Sequence, residues 1–251
     1  MTAPVVFAVI PAHNEAATIE AVTAATREQV DRVLVVDDGS ADDTATLAAT
    51  HAEVLRLEPN RGKAGALWAG MQQAVAEGAD AVVTLDGDGQ HDATEIPALI
   101  AAWRERPRHL ILGARLKERE STPPLRLFGN RVADFWIGWA SAQPLRDSQS
   151  GFRLYPADLL RQMRIPHGRG RSFVFESEAL IAAERHGFPA RLVPVRCIYP
   201  EDRRPSHFRP AADTLRIIFM VAGHLLRRGM RPLGLWRSLR RPETAPTVEN
   251  S

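Results

Sequence analysis

The feature that most constrains the fold is a regular alternation of short apolar runs and amphipathic segments over residues 5–86. Runs such as VVFAVI (5–10), RVLVVD (32–37) and DAVVTLD (80–86) have the composition of strands, and the segments between them have the apolar spacing of helices. Runs without polar alternation are typical of parallel strands that are covered on both faces. The pattern predicts an α/β fold, a doubly wound and mostly parallel sheet with helices on both faces.

Polar motifs follow three of these predicted strands: PAHNE (11–15), DDGSADDT (37–44) and DGDGQHD (86–92). In doubly wound sheets, ligands bind beyond the carboxyl ends of the strands. We therefore predict that the three motifs converge on one crevice. Beyond residue 109 the sequence predicts strands at LILGAR (110–115), SGFRLY (150–155) and ARLVPVRCIY (190–199), with helices at 126–140 and 173–187.

The stretch TLDGDGQHD (84–92) brings Asp86, Asp88 and Asp92 close together in sequence. Carboxylates this close repel one another, so the cluster predicts a positive partner, and a divalent cation is the obvious candidate. A calcium loop of the EF-hand type does not fit, because its sixth position would be His91 and its twelfth Pro97. A metal shared with a diphosphate is better supported, since one or two carboxylates and substrate oxygens complete its shell.

Known phosphate-binding fingerprints are absent. RGKAGAL (61–67) offers Gly62, Lys63 and Gly65 for a close approach to phosphate, but it lacks the P-loop spacing. No GxGxxG follows the first strand, which excludes the dinucleotide fingerprint. PAHNE and DDGS, taken singly, are equally compatible with helix capping and turn formation.

Taken in order, PAHNE, VVDDGSADDT, NRGKAGAL, TLDGDGQHD, GAR (113–115) and DSQSGFRLY (147–155) resemble the family-2 inverting glycosyltransferases, which have a GT-A fold. The likeness is strongest to the dolichol-phosphate mannosyltransferase-like branch, the polyprenyl-phosphate glycosyltransferases, and it covers about residues 5–200. The resemblance implies transfer of a sugar from a nucleotide-diphospho-sugar to a lipid phosphate or another lipid-linked acceptor.

The resemblance also implies roles for individual residues on the donor side. The nucleotide-sugar donor would be bound by Pro11, His13, Glu15, Asp38, Lys63 and Asp86. Mg²⁺ or Mn²⁺ would be held by Asp86 and Asp88, with Gln90 as a further ligand, which makes Asp88 catalytic through the metal. His13 departs from the family, in which tyrosine is frequent at this position, so base stacking there is in doubt.

On the acceptor side, Arg115 and Arg131 match the arginines that the branch places around an acceptor phosphate. Asp147 matches the family's base or acceptor-orienting residue, and the alternative for it is a turn cap. Glu178 matches a glutamate near the acceptor, with Glu176 as its rival. Arg153 in SGFR is open to a structural role.

The C-terminal part is strongly basic, with ten arginines and one acid, Asp213, between residues 203 and 241. Together with the apolar faces of 126–140 and 215–229, this predicts an anionic membrane surface as a partner, with Phe135, Trp136 and Trp139 at the headgroup boundary. The alternative is that these helices pack against the sheet or a second subunit. No nucleic-acid partner is predicted.

The predicted organisation is a catalytic domain at 1–200, a basic and interfacial helical segment at 201–241, and a disordered tail at 242–251. Neither a signal peptide nor an apolar run of spanning length is visible. The single cysteine, Cys197, fits a reducing compartment and a buried position. The predicted location is therefore cytoplasmic, with peripheral attachment to the inner face of the cell membrane.

Three other functions fit the sequence less well. A glycosyltransferase of the same fold could act on a hydroxyl of a small molecule or lipid. A sugar nucleotidyltransferase would need a basic, glycine-rich loop after the first strand, and PAHNEAATIE has no arginine, lysine or glycine. A binding module without activity is disfavoured because Asp86, Asp88 and Asp147 are all present.

Overall fold

One mixed sheet organises the computed structural model, which describes residues 3–116, 124–168, 174–196, 198, 210–240 and 242–245. Its strand order is β3-β2-β1-β4-β6-β5-β7. The strands are β1 (Val6–Ala12), β2 (Arg32–Asp37), β3 (Glu53–Arg56), β4 (Ala81–Thr84), β5 (Leu110–Ala114), β6 (Arg153–Pro156) and β7 (Ala190–Pro194).

Helices cover both faces of this sheet, as the apolar runs predict. They are α1 (Ile19–Arg27), α2 (Thr44–Ala48), α3 (Lys63–Ala76), α4 (Ile96–Glu105), α5 (Pro124–Ser141), α6 (Ala157–Gln162), α7 (Phe175–Arg185), α8 (Pro210–Leu226) and α9 (Pro232–Ser238). Side chains of α1, α2 and α4 are buried in one apolar cluster, and those of α3 and α5 to α8 in the other.

Strand direction changes in the middle of the sheet. The pairs among β1 to β4 are parallel, and so is the pair of β5 with β7. Strand β6 runs antiparallel to both neighbours, with Thr84 of β4 opposite Arg153. The start of β6 therefore lies at the edge where β4 and β5 end, so the DSQSGF loop before it enters the same region as the polar motifs.

Several elements differ from the sequence prediction. Helices α4 and α6 were not predicted, whereas α9 lies within the helical segment that was predicted at 201–241. The disordered tail is wrong for residues 242–245, because Leu192 of β7 pairs with Thr244 through backbone hydrogen bonds and Ala245 is buried. The rest of the predicted tail, Cys197 and residues 201–209 lie outside the described residues.

The C-terminal helices are part of the same packed unit rather than a separate layer. Ile217, Val221 and Leu225 of α8 are buried in the core. Trp139, which was predicted to lie at a headgroup boundary, is half-buried and donates its indole N–H to the Met230 carbonyl at 2.9 Å. No helix in the described part of the chain has the length and apolar character needed to cross a bilayer.

Candidate active site

The three strand-end motifs meet as predicted. The backbone N–H of Asn14 donates to Ser40 Oγ at 2.9 Å, and the backbone N–H of Glu15 donates to Thr44 Oγ1 at 2.8 Å. Thr18 Oγ1, one turn later, donates to the Gly87 carbonyl at 2.6 Å. PAHNE is thereby tied to both the DDGS segment and the acidic loop, and the convergence on one crevice is confirmed.

Asp38 holds the entrance to α3. Its two carboxylate oxygens accept the backbone N–H groups of Arg61 at 2.6 Å and Gly62 at 2.7 Å. Pro11 is buried at the end of β1, whereas His13 is exposed, with its ring 3.4 Å from the Asn60 side-chain nitrogen. The contacts predicted between these residues and a nucleotide stay predictions, while the structural role of Asp38 is visible.

Lys63 supplies the positive charge that the acidic loop requires. Its ammonium lies 2.7 Å from Asp86 Oδ1 and 3.2 Å from Glu176 Oε1. Burial raises the pKa of Asp86, but Lys63 and His91 outweigh it, so that the pKa lies well below its ordinary value. Burial likewise lowers the pKa of Lys63, and the two carboxylates reverse this and raise it. Both groups are therefore charged across the physiological range.

The other two aspartates of the loop have different surroundings. Asp88 accepts the backbone N–H of Gln90 at 3.0 Å and its side-chain amide at 2.7 Å. Asp92 caps a short 3₁₀ helix (Ala93–Glu95) by accepting the Thr94 N–H. The three aspartates therefore differ in their partners: Asp86 forms an ion pair, Asp88 accepts hydrogen bonds from Gln90, and Asp92 caps a helix.

No three histidine, cysteine or acidic side chains form a metal cage among the residues described. The donor set still fits Mg²⁺ or Mn²⁺, because Asp88 and the side chain of Gln90 are in contact and offer hard carboxylate and amide oxygens. A cation shared with a diphosphate needs only one or two such protein ligands.

Two residues at this site were not singled out from the sequence. His91 stacks on Phe152 with ring centroids 5.3 Å apart, and its Nε2 lies 3.7 Å from Asp86 Oδ2. Gly151 lies against the same group, since a Cβ there would come within 3.3 Å of both Asp86 carboxylate oxygens. His91 lies in DGDGQHD and Gly151 in DSQSGFRLY, each close in sequence to charged residues. That position was the signal by which the sequence could have identified them.

Asp147 and Arg115 form a hydrogen-bonded ion pair. Arg115 donates to the Asp147 carboxylate through Nε at 2.8 Å, Nη2 at 2.7 Å and its backbone N–H at 2.9 Å. Burial raises the pKa of Asp147, but Arg115 outweighs it and the pKa is lowered. Asp147 has a left-handed backbone, with φ at 57°. The buried Asp134 on α5 stabilises this turn by accepting the N–H groups of Asp147 and Ser148.

The remaining predicted residues lie on α5, β6 and α7. Arg131 is exposed on α5, three residues before Asp134, and its predicted contact with the acceptor stays a prediction. Arg153 is fully buried and donates to the backbone carbonyls of Ser148, Ser150 and Glu176, so it is structural.

Of the two glutamates in the first turn of α7, Glu176 contacts Lys63. Residues two apart on a helix face different sides, so Glu178 projects elsewhere from the same turn. Glu178 is also buried, and its predicted contact with the acceptor stays a prediction.

A family comparison decides what this arrangement belongs to. The model of glycosyl transferase family 2 matches residues 7–165, well over half of the chain. The chain is a family-2 glycosyltransferase. Its substrate class is thereby a nucleotide sugar, as the resemblance implied.

Curated relatives of this family-2 enzyme include lipid-phosphate glycosyltransferases. It is 28% identical over 223 residues to UDP-N-acetylglucosamine–dolichyl-phosphate N-acetylglucosaminyltransferase of Methanococcus voltae, covering 80% of this chain and 88% of that protein. It is 29% identical over 212 residues to undecaprenyl-phosphate mannosyltransferase of Micrococcus luteus, covering 78% and 84%. The predicted likeness to the polyprenyl-phosphate branch is confirmed.

Solved structures confirm the GT-A fold. Mannosyl-3-phosphoglycerate synthase from Rubrobacter xylanophilus superimposes with a TM-score of 0.68 at 19% identity, covering 95% of this chain and 78% of that one. Glucosyl-3-phosphoglycerate synthase from Mycobacterium tuberculosis, in complex with Mn²⁺, UDP-glucose and phosphoglyceric acid, gives 0.60 at 22% identity, covering 90% and 79%.

Proposed function

We propose that this family-2 enzyme is a metal-dependent, inverting transferase that moves a sugar from a nucleotide-diphospho-sugar to a lipid phosphate. The observation that carries the proposal is the ion pair in which Arg115 donates three N–H groups to the Asp147 carboxylate. A carboxylate that accepts three N–H groups and has a lowered pKa is a poor proton acceptor. Such a site suits an acceptor that is already an anion, and a phosphate monoester is one.

The proposed reaction is a direct displacement. An acceptor phosphate oxygen forms a bond to the anomeric carbon on the face opposite the leaving group. The bond from that carbon to the diphosphate oxygen breaks with its electron pair, the nucleoside diphosphate leaves, and the configuration inverts. A divalent cation held by Asp86, Asp88 and Gln90 would neutralise charge on the leaving diphosphate.

The chain's own residues do the rest of the work in this proposal. Lys63 lies at the first position of α3, where the helix N-terminus also favours an anion, so both attract the donor diphosphate. Asp147 orients Arg115, and Arg131 on α5 supplies a second guanidinium for the acceptor phosphate. The dolichyl-phosphate and undecaprenyl-phosphate acceptors in the relatives' names support this assignment.

The first prediction separates a phosphate acceptor from a hydroxyl acceptor. With Mn²⁺ and a panel of UDP- and GDP-sugars, we expect transfer to polyprenyl phosphate to exceed transfer to the matched polyprenol by at least ~100-fold, because the alcohol leaves the arginines without an anion. Radiolabelled product in the lipid phase measures both. Equal or better use of the alcohol would select the hydroxyl-acceptor alternative.

The same assay tests the placement of Arg131. Arg131→Lys should raise the KM for polyprenyl phosphate roughly tenfold, since a point charge loses the planar fork, with the KM for the donor unchanged. The exposed Arg164, which donates to the nearby Arg161 and Met163 carbonyls, provides the control variant Arg164→Lys. Equal loss of donor affinity in Arg131→Lys would place Arg131 on the donor side.

We also propose peripheral binding to an anionic membrane, through the outer faces of α8 and α9. The exposed apolar side chains described there include Ile218, Phe219 and Leu226 of α8 and Leu233 and Trp236 of α9, with Leu239 directly after α9. Residues 214–242 contain seven arginines and no acid. A second copy of so basic a surface would be repelled, whereas anionic headgroups contribute on the order of 1 kcal/mol per arginine at low salt.

The membrane prediction uses surface variants, because truncation would remove the core residues of α8. The protein should sediment with phosphatidylglycerol-containing vesicles at low salt, and the triple variant Leu233→Ser, Trp236→Ser, Leu239→Ser should lose most of this binding. Val5→Ser, at an exposed apolar site outside α8 and α9, is the control. No sedimentation of the unmodified protein at low salt would contradict membrane binding.

A further inference from the structure

Lys63 is held between two carboxylates that come from different parts of the chain. Asp86 lies on the loop after β4, and Glu176 lies in the first turn of α7. The Lys63 side chain is 34% exposed, whereas that of Glu176 is 9% exposed. Lys63 therefore pairs with one buried counter-ion, Glu176, while its own side chain is partly open to solvent.

Glu176 is the more firmly held of the two acids. Its backbone carbonyl accepts Nη1 of the fully buried Arg153 at 2.6 Å. Arg153 is in turn fixed by the carbonyls of Ser148 and Ser150. Asp86, by contrast, is 28% exposed on a loop. Glu176 is thus a fixed point and Asp86 an accessible one.

Asp86 and Glu176 have different roles in the proposed function, and this inference rests on that function. Asp86 is the acid assigned to the cation and diphosphate, and a cation at Asp86 would compete with Lys63 for the same carboxylate and repel the ammonium. Glu176 faces Lys63 from the protein interior and is outside that set of ligands. Among the described residues, Glu176 is then the carboxylate that is left to keep the ammonium at the start of α3.

We propose that Glu176 is a positioning residue that retains Lys63 for the donor diphosphate. An ammonium has three N–H groups. With Glu176 accepting one of them, the others are directed towards the crevice, where Asp86 and the diphosphate lie. Glu176 acts through Lys63 and does not itself touch the donor.

A double-mutant cycle tests this proposal through binding, without reference to turnover. The dissociation constants of UDP and GDP with Mn²⁺ are measured calorimetrically for the unmodified enzyme, Lys63→Met, Glu176→Gln and the double variant. We expect Glu176→Gln to raise the nucleotide dissociation constant about tenfold and Lys63→Met to raise it at least as much. The double variant should have the same dissociation constant as Lys63→Met.

Two further variants separate positioning from simple loss of structure. Glu176→Asp keeps the charge and should bind nucleotide more tightly than Glu176→Gln, even if both have a lower Tm. Glu184→Gln lies on the same helix and removes a carboxylate paired with Arg231 at 3.0 Å, so it is the matched control and should leave the dissociation constant unchanged.

The outcomes are distinguishable. A normal dissociation constant in Glu176→Gln, or a further loss when it is added to Lys63→Met, overturns the positioning role alone. A normal dissociation constant in Lys63→Met overturns the donor role of Lys63 and the inference with it. Failure of the unmodified enzyme to bind either nucleotide with Mn²⁺ overturns the proposed function itself.

Discussion

Replacing Asp88 with asparagine is expected to reduce sugar transfer by roughly three orders of magnitude while the fold stays intact. The asparagine keeps one oxygen, which can accept one of the two hydrogen bonds that the separate oxygens of Asp88 accept from Gln90. It loses the negative charge that a divalent cation requires. Initial rates over a range of Mn²⁺ concentrations, together with Tm, measure the two effects separately, and we expect Tm to be unchanged or raised because Asp86 is a like charge nearby.

The control for this experiment lies in the same loop. Asp92→Asn keeps an oxygen that can accept the Thr94 N–H and cap the 3₁₀ helix, so stability and transfer should both be largely unaffected. Near-normal turnover of Asp88→Asn, or of the unmodified enzyme in excess chelator, would show that the acidic loop does not act through a metal.

Replacing Arg153 with methionine is expected to destabilise the protein by about 3–5 kcal/mol, a large part of the stability of an ordinary domain. Methionine fills part of the volume but leaves the carbonyls of Ser148, Ser150 and Glu176 without their donor. Each unsatisfied buried acceptor costs about 1–3 kcal/mol. Urea denaturation followed by circular dichroism measures the loss in the free energy of unfolding.

Arg164→Met is the matched control for this variant. Arg164 also donates to two backbone carbonyls, but it is exposed, so water replaces the lost donor. A change within about 0.5 kcal/mol is expected for it. If both variants lose only a little free energy of unfolding, the contribution of Arg153 to stability does not depend on its burial.

The sequence predicts that the polar motifs after β1, β2 and β4 meet. Buried parallel strands are recognisable as apolar runs, and their carboxyl ends lie at the same edge of the sheet. The direction of β6 could not be predicted, since SGFRLY carries no local signal of which way it pairs. The pairing of Thr244 with β7 was missed for a related reason, because it uses backbone groups that every residue possesses.

The choice between Glu176 and Glu178 was open for a different physical reason. A helix with one exposed face reveals its orientation through the spacing of its polar residues. The first two turns of α7 are buried all round, from Phe175 to Ile181, so no exposed face fixes the phase. Only the contact with Lys63 distinguishes the two acids.

The antiparallel insertion of β6 has a consequence for how the chain reaches this state during synthesis. Strands β1 to β4 can pair as soon as residue 84 has left the ribosome, but β4 then forms the border of a half-built sheet. Its partner, β6, is completed only at residue 156. Until then one edge of β4, a strand that is fully buried in the finished fold, presents unpaired amide and carbonyl groups to other nascent chains. The stretch of translation between these two points is where chaperones have most to protect.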